Sequence, residues 1–289
     1  MGPGTGPGYG GMGAMEEQDL RALMRRYTVE HLDPGEHLDP GWFGTFYGTA
    51  AAQFQRHIES LPGTVYGDDP KQRPFDNVFT WGHDHDFGAF QMKGQMGDRH
   101  IRVIEAFLEM GAEFKGHVLD VGCWTGGTSL LLAAMGCTVT AIEEAVQYAD
   151  VVSYLGHVFQ VQGLVVIPNS IYDEGRFAEP YDMILCAGVL YHVTDPVRAL
   201  RIIFEKLVDG GTLLLETAVH QGGGKLLTYC GPTAPGYRWF LPTAETLVAM
   251  LIDVGFTDLE YGLRADGSRI VVVATRKEYT TMMTAGVSR

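Results

Sequence analysis

The 289-residue sequence is short of three things: cysteine, positive charge and long apolar runs. Its four cysteines, Cys123, Cys137, Cys186 and Cys230, form no C-x-x-C pair or other zinc-type spacing, and four in this length make no disulfide framework. Reduced, buried thiols in a cytoplasmic protein are therefore expected. Lys and Arg number 21 against 35 Asp and Glu, giving −14, and no dense basic run interrupts the acidity. Such a chain is poorly suited to track a phosphate backbone or to lie on an anionic membrane face. No apolar stretch approaches the ~18 residues of a membrane-spanning helix. The first thirteen residues are glycine-rich and lack the basic and apolar regions of a signal peptide, so 1–13 reads as a flexible tail. What remains is a globular balance, 46% apolar and 19% charged, which excludes global disorder.

Two textures follow the tail. Residues 14–113 read as helices and loops: candidate helices at 16–31 and 50–61, a Gly/Pro/Asp/His-rich stretch over 62–98, and a helix from Arg99 to Met110 with Ile101, Ile104, Phe107 and Leu108 on one face. From His117 onward short β-branched runs alternate with helical stretches. Strands are expected at 117–121, 138–142, 164–167, 182–187, 212–216, 258–261 and 270–274, and helices at 126–135, 145–160, 196–207 and 244–254. This alternation predicts an α/β fold, a mostly parallel sheet with helices on both faces and an antiparallel last strand. The domain is expected over 114–276, with an insertion at 218–241 and a tail at 277–289.

The chemistry-bearing segment closes the first strand of that domain: Val118-Leu119-Asp120-Val121-Gly122-Cys123-Trp124-Thr125-Gly126-Gly127. Glycine lets the chain turn sharply from strand to helix and lets backbone approach a ligand. Glu143, at the tip of the next strand, is placed for a ribose diol, with Glu144 the rival acid one residue later. Asp120 at a strand end would repel a pyrophosphate and suits a cationic amino-acid cofactor instead, which favours S-adenosylmethionine over a nicotinamide dinucleotide.

This run resembles the first motif of class I S-adenosylmethionine-dependent methyltransferases. Further similarities follow in order: Phe177 to His192 for the fourth-strand motif, Leu207 to Leu213 for the turn into the fifth strand, and Trp239-Phe240-Leu241-Pro242-Thr243 with Leu247, Met250, Leu251, Gly255 and Phe256 for a C-terminal signature. That signature is similar to a branch holding tRNA wobble-uridine carboxymethyltransferases and related small-molecule methyltransferases. The resemblance implies a Rossmann-like seven-stranded sheet, S-adenosylmethionine as cofactor, and cofactor contacts at Asp120, Gly122, Cys123, Trp124, Gly126, Glu143, Ser170, Ile171 and Ala187. Trp124 stands where the usual middle glycine would be. Gln95, Met96 and Gly97 stand where the carboxymethyltransferases carry basic and aromatic residues, and Gly236 where they carry an arginine, with Arg238 nearby.

Reactants meet beyond the carboxyl ends of parallel strands. Tyr191 and His192, after the fourth strand, therefore face the acceptor. His192 is a candidate general base, the alternatives being substrate contact or loop scaffold. Asn169 and Ser170 carry either adenine recognition or plain turn chemistry. The segment Trp81-Gly82-His83-Asp84-His85-Asp86 alternates two imidazoles with two carboxylates. A substrate lid bearing Trp81, His83, His85 and Lys93, a satisfied polar loop, and a metal site all fit that pattern, the last lacking an obvious third ligand. Tyr229 and Trp239 in the insertion are candidate substrate contacts or packing residues. The expected partner is a small-molecule acceptor bound by a protein that can homodimerise, with neither nucleic acid nor membrane. Two other readings stand beside it: a tRNA wobble-uridine modifier and a non-catalytic S-adenosylmethionine-binding subunit.

Overall fold

The structure is a computed structural model that describes residues 65–66, 82–86, 91–92, 94–158, 161–177, 180–234 and 237–277. The candidate helices at 16–31 and 50–61, Trp81, Lys93, the tail over 1–13 and residues 278–289 lie outside the described residues. Its elements run β1 (Val65–Tyr66), β2 (His85–Asp86), β3 (Gln91–Met92), α1 (Arg99–Glu109), β4 (His117–Val121), α2 (Gly127–Ala134), β5 (Thr138–Glu143), α3 (Val146–Val158), β6 (Leu164–Pro168) and β7 (Tyr181–Ala187). Then come α4 (Pro196–Lys206), β8 (Leu207–Ala218), β9 (Leu227–Tyr229), β10 (Phe240–Pro242), α5 (Ala244–Val254), β11 (Phe256–Leu263) and β12 (Arg269–Arg276).

Seven strands form one sheet in the order β11-β12-β8-β7-β4-β5-β6. All pairs are parallel except those made by β12, which runs antiparallel to both β8 and β11. The short connection between β11 and β12 leaves no room for a crossover, so antiparallel pairing is the only option. The order reverses at β4, which lies between β5 and β7, and this switch point opens a crevice at the strands' carboxyl ends.

The period of two along each strand sends neighbours to opposite faces. Val118, Met183, Leu185 and Leu214 pack with Ile104 and Phe107 of α1, Leu130 and Leu131 of α2, and Val151 and Leu155 of α3. Leu119, Ile184, Cys186, Leu213 and Leu215 pack on the other face with Leu200 and Ile203 of α4 and Leu247 and Leu251 of α5. Both faces are thus covered, and this is why these strands read as continuous apolar runs. Cys123, Cys137 and Cys186 are buried and all four thiols are free.

The expected elements of the domain are all present, with shifts at their ends. The helix expected through Leu207 stops at Lys206, because Leu207 turns extended and pairs with Tyr181 across the sheet. β8 consequently runs twelve residues instead of the expected five. Two features read as loop contain strand: β1, β2 and β3 form a small sheet, and β9 pairs antiparallel with β10 inside the insertion. Pieces of two or three residues give too few positions to show alternation.

Two substitutions separate the contributions of packing and capping. Leu214, fully buried in the middle of the sheet, should cost about 2–5 kcal/mol as Leu214→Ala. Asp195 caps α4 by accepting the Arg198 N–H at 3.0 Å, and Asp195→Ala should cost about 1 kcal/mol. Urea denaturation measures both, and equal losses would contradict this assignment of the core.

Candidate functional site

The site grows from the turn that follows β4. Gly122 has φ +67°, in the left-handed region, and a Cβ there would stand 2.5 Å from Cγ2 of Val189. Backbone at this point passes against the β7 loop as only glycine permits. Trp124 also has positive φ, +48°, which costs a non-glycine residue about 1–2 kcal/mol. Its N–H donates to Glu143 Oε2 at 2.9 Å, and its indole packs edge-on against His83, with centroids 5.1 Å apart, and against Tyr148 at 6.1 Å. The large side chain at a glycine-type position is therefore turned toward the N-terminal segment and α3.

Two carboxylates frame this turn. Asp120, 2% exposed, accepts from Thr128 Oγ1 and Ser129 Oγ, both at 2.6 Å, and so ties the end of β4 to the first turn of α2. Burial raises its pKa to about 6 against the lowering effect of those two donors. Glu143 accepts from Trp124 N with one oxygen and from Ala145 N with the other, each at 2.9 Å. Its pKa is raised, first by burial. Glu144 is exposed, so of the two rival acids Glu143 is the one built into the crevice. Cys123 is buried, and burial pushes its thiol pKa well up, so it stays a neutral thiol.

At the tip of β6, Asn169 is buried and donates from Nδ2 to the Ser170 and Asp173 carbonyls, both at 2.8 Å. Its side chain thus holds the turn, the second of the two roles open to it. Ser170 is partly buried and its Oγ accepts only weakly from Tyr172 N at 3.5 Å. Ile171 is packed in the core beside Val121 and Ile142.

Across the crevice, Ala187 ends β7 and Gly188 follows with φ +75°, in the left-handed region. The nearest atoms to a Cβ there are the Tyr191 hydroxyl at 3.6 Å and Arg269 Nη2 at 3.9 Å. Arg269 forms a two-pronged ion pair with Glu216, Nη2 to Oε2 at 2.6 Å and Nε to Oε1, and its guanidinium lies 5.2 Å from the Tyr191 ring centroid. Arg238 stands over the same ring at 5.9 Å. His192 Nδ1 lies 3.0 Å from the Tyr237 carbonyl, which can only accept, so Nδ1 carries the hydrogen and Nε2 the lone pair. Burial lowers the His192 pKa, with Arg269 and Arg238 adding to the effect. Trp239 donates its N–H to the Tyr191 carbonyl at 2.8 Å and anchors the insertion to this loop, while Tyr229 is exposed on β9 beside Phe240. Arg269 and Glu216 had escaped the sequence reading. The one available signal was a pair of charges at the ends of two otherwise apolar strands.

The N-terminal segment closes the third side. His83 Nδ1 accepts the Gly127 N–H at 3.1 Å, and His85 is buried in parallel orientation to the His100 ring, with centroids 6.1 Å apart. Among the described residues, no group of three or more His, Cys, Asp or Glu could hold a metal ion. Nor is any described helix long and apolar enough to cross a membrane.

A parallel sheet whose glycine turn, two framing carboxylates and small residue at Gly188 meet at the switch point defines an α/β protein built to hold a nucleoside-type ligand. Residues 92–261 match the family described as "Methyltransferase domain", and the chain belongs to that family. The methyltransferase family uses S-adenosylmethionine as its cofactor. The chain is 29% identical over 153 residues to a tRNA U34 carboxymethyltransferase of Desulfotalea psychrophila, covering 51% of this chain and 48% of the relative. It is 30% identical over 159 residues to the protein of that name in Dichelobacter nodosus, with 53% and 49% covered. The chain thus spans about half the length of these curated relatives. In fold it is similar to the N-terminal domain of EvdMO1, solved with SAH bound, at TM-score 0.54 and 19% identity, covering 72% of this chain and 95% of that one. A Listeria monocytogenes structure titled as a S-adenosylmethionine-dependent methyltransferase aligns at TM-score 0.50 and 14% identity, covering 61% and 98%.

The histidines beside the turn predict a pH dependence. Burial lowers the pKa of His83 to about 3 and that of His85 to about 4, so both stay neutral in the fold. The unfolded chain protonates them near 6.5, so it binds more protons between there and those lowered values, and stability falls as pH drops below about 6.5. Asp120, between 3.8 and about 6, and Glu143, also raised, act in the opposite sense, while His192, also lowered, acts with the two histidines. The thermal midpoint should be lower at about pH 5 than at neutral pH, with a smaller drop in His83→Asn. An identical drop in both proteins would contradict this.

Proposed function

We infer that this chain binds S-adenosylmethionine in the crevice at the carboxyl ends of β4, β5 and β7 and transfers its one-carbon group to an acceptor held between Tyr191–His192 and the insertion. The observation carrying this reading is the glycine turn after β4, with the Glu143 carboxylate bonded to its backbone and Gly188, bearing no side chain, at the end of β7. The donor set suits the cofactor: the Glu143 carboxylate keeps lone pairs beyond its two backbone bonds for a ribose diol, and the negative charge of Asp120 and Glu143 complements a cationic amino-acid tail. Gly122, Cys123, Trp124 and Gly126 supply backbone, Ser170 and Ile171 border the adenine, and Ala187 leaves room beside the reacting carbon. S-adenosylmethionine supplies an electrophilic carbon on positively charged sulfur, so alignment is most of what the protein adds.

His192 fits the role of general base. It is neutral, its Nδ1–H is committed to the Tyr237 carbonyl, and its Nε2 lone pair can take a proton from an acceptor oxygen or nitrogen. Tyr191 shares the acceptor side, its ring flanked by two guanidinium groups.

For the acceptor, the relatives' name favours the wobble uridine of a tRNA, and Arg238 and Arg269 beside Tyr191 would suit a carboxylated one-carbon group or a phosphate-bearing acceptor. A small-molecule acceptor is the second reading. It rests on the net charge of −14 and on Gln95, Met96 and Gly97 in place of the basic and aromatic residues of the carboxymethyltransferases. Transfer should be followed from labelled donor, and from its carboxylated analogue, to unmodified tRNA and to a panel of small oxygen, nitrogen and sulfur nucleophiles. Labelled tRNA supports the first reading, and label confined to small nucleophiles overturns it in favour of the second. With the active acceptor, His192→Ala should lower kcat by about 10²–10⁴-fold at unchanged donor affinity. An unchanged rate would remove His192 as the base.

A further inference from the structure

The sequence offers His83 as a substrate contact on a lid, as a polar loop residue or as a metal ligand, and the transfer proposed above calls on none of these. The surroundings of His83 are nevertheless built with care. Thr125, fully buried inside the turn, accepts two backbone hydrogen bonds on one hydroxyl oxygen, from Gly82 N and from His83 N, both at 3.0 Å. His83 Nδ1 lies 3.4 Å from that hydroxyl, a secondary contact, because its single lone pair is turned to a closer donor. The same Nδ1 accepts the Gly127 N–H, the first backbone donor of α2, which has no partner inside its own helix.

Shape agrees with these bonds. A Cβ on Gly82 would strike the Trp124 indole, and a Cβ on Gly127 would come within 2.7 Å of the His83 ring and 2.6 Å of the His100 ring. Two glycines on opposite sides of the contact therefore let the two segments touch. The Gly82 segment is itself braced from behind: Met96 N donates to the Gly82 carbonyl at 2.8 Å, Asp84 N to the Gly97 carbonyl at 2.9 Å, and Gly94 N to Asp84 Oδ1 at 2.8 Å. The brace leads directly into α1, whose His100 packs 4.9 Å from the His83 ring.

We propose that His83 is a positioning residue for methyl transfer: through Nδ1 and with Thr125 it latches the segment around Gly82 onto the Gly122–Gly127 turn and holds that turn in its donor-binding shape. The latch also gives Trp124 its purpose, since the indole fills the contact between segment and turn and offsets the positive φ of its own backbone. Neutral imidazole suits the task, because protonated Nδ1 cannot accept. Burial keeps it in that state.

The proposal rests on the reading that this turn holds S-adenosylmethionine, and the test separates the two. Calorimetry of S-adenosylhomocysteine with wild-type protein comes first; no binding would sink the donor reading itself. With binding established, His83→Leu should weaken it by about 5–10-fold, what one or two lost hydrogen bonds amount to, and raise the donor KM equally at nearly unchanged kcat. His83→Asn, whose Oδ1 replaces Nδ1 as acceptor, should restore most of the affinity. Thr125→Val should mimic His83→Leu, and Thr125→Ser should not, which keeps the test decisive if one variant fails to fold. Unchanged affinity in His83→Leu and Thr125→Val overturns the latch. So does a loss of kcat at constant donor KM, or a failure of His83→Asn to rescue.

Discussion

The site depends on one backbone constraint. Between β4 and α2 the chain reverses through three residues of positive φ, Gly122, Trp124 and Gly126, and such a turn does not hold itself. Two carboxylates hold it. Asp120 pulls the start of α2 onto the end of β4 through two hydroxyls, and Glu143 draws the Trp124 amide across to the tip of β5. Both are buried enough for their pKa values to rise, so their polar partners do more than decorate them. A buried carboxylate without donors is expensive, and here the donors are the very groups that must be fixed in place.

This explains how an acidic chain can carry a polar site with a division of charge. Acid gathers around the turn after β4, at Asp120 and Glu143. Arginine gathers around Tyr191, at Arg238 and Arg269, with Glu216 balancing Arg269. The overall charge of −14 says little about either half. That is why charge alone pointed away from an RNA acceptor while the relatives point toward one.

Much of the fold was legible because strands buried on both faces and amphipathic helices each leave a periodic mark. Ile104 and Phe107, or Leu213 and Leu215, announce their faces within a few residues. The strand β8 was underestimated because Asp209, Gly210 and Gly211 read as a turn; the ladder is irregular there, with Leu207 paired to Tyr181 before it and Thr212 to Met183 after it. The turn after β4 and its two framing carboxylates were legible as a local arrangement too, since they lie within one run and the next strand tip. The cluster around Tyr191 was not: Arg269 meets Tyr191 only because β12 folds back beside β8, a juxtaposition with no local sequence signal. The His83 segment was conspicuous as sequence, but nothing in it said that Thr125 would be its partner.

The central claim is that the turn after β4 is the donor cradle. Gly122→Val tests it most directly, because the added side chain both strains φ +67° and intrudes on Val189, while Asp120 and Glu143 stay in place. The measurement is calorimetric titration of folded wild-type and Gly122→Val protein with S-adenosylhomocysteine, with circular dichroism as the check on folding. The account predicts binding by the wild type and none by the variant. Equal affinity in the two folded proteins would contradict it.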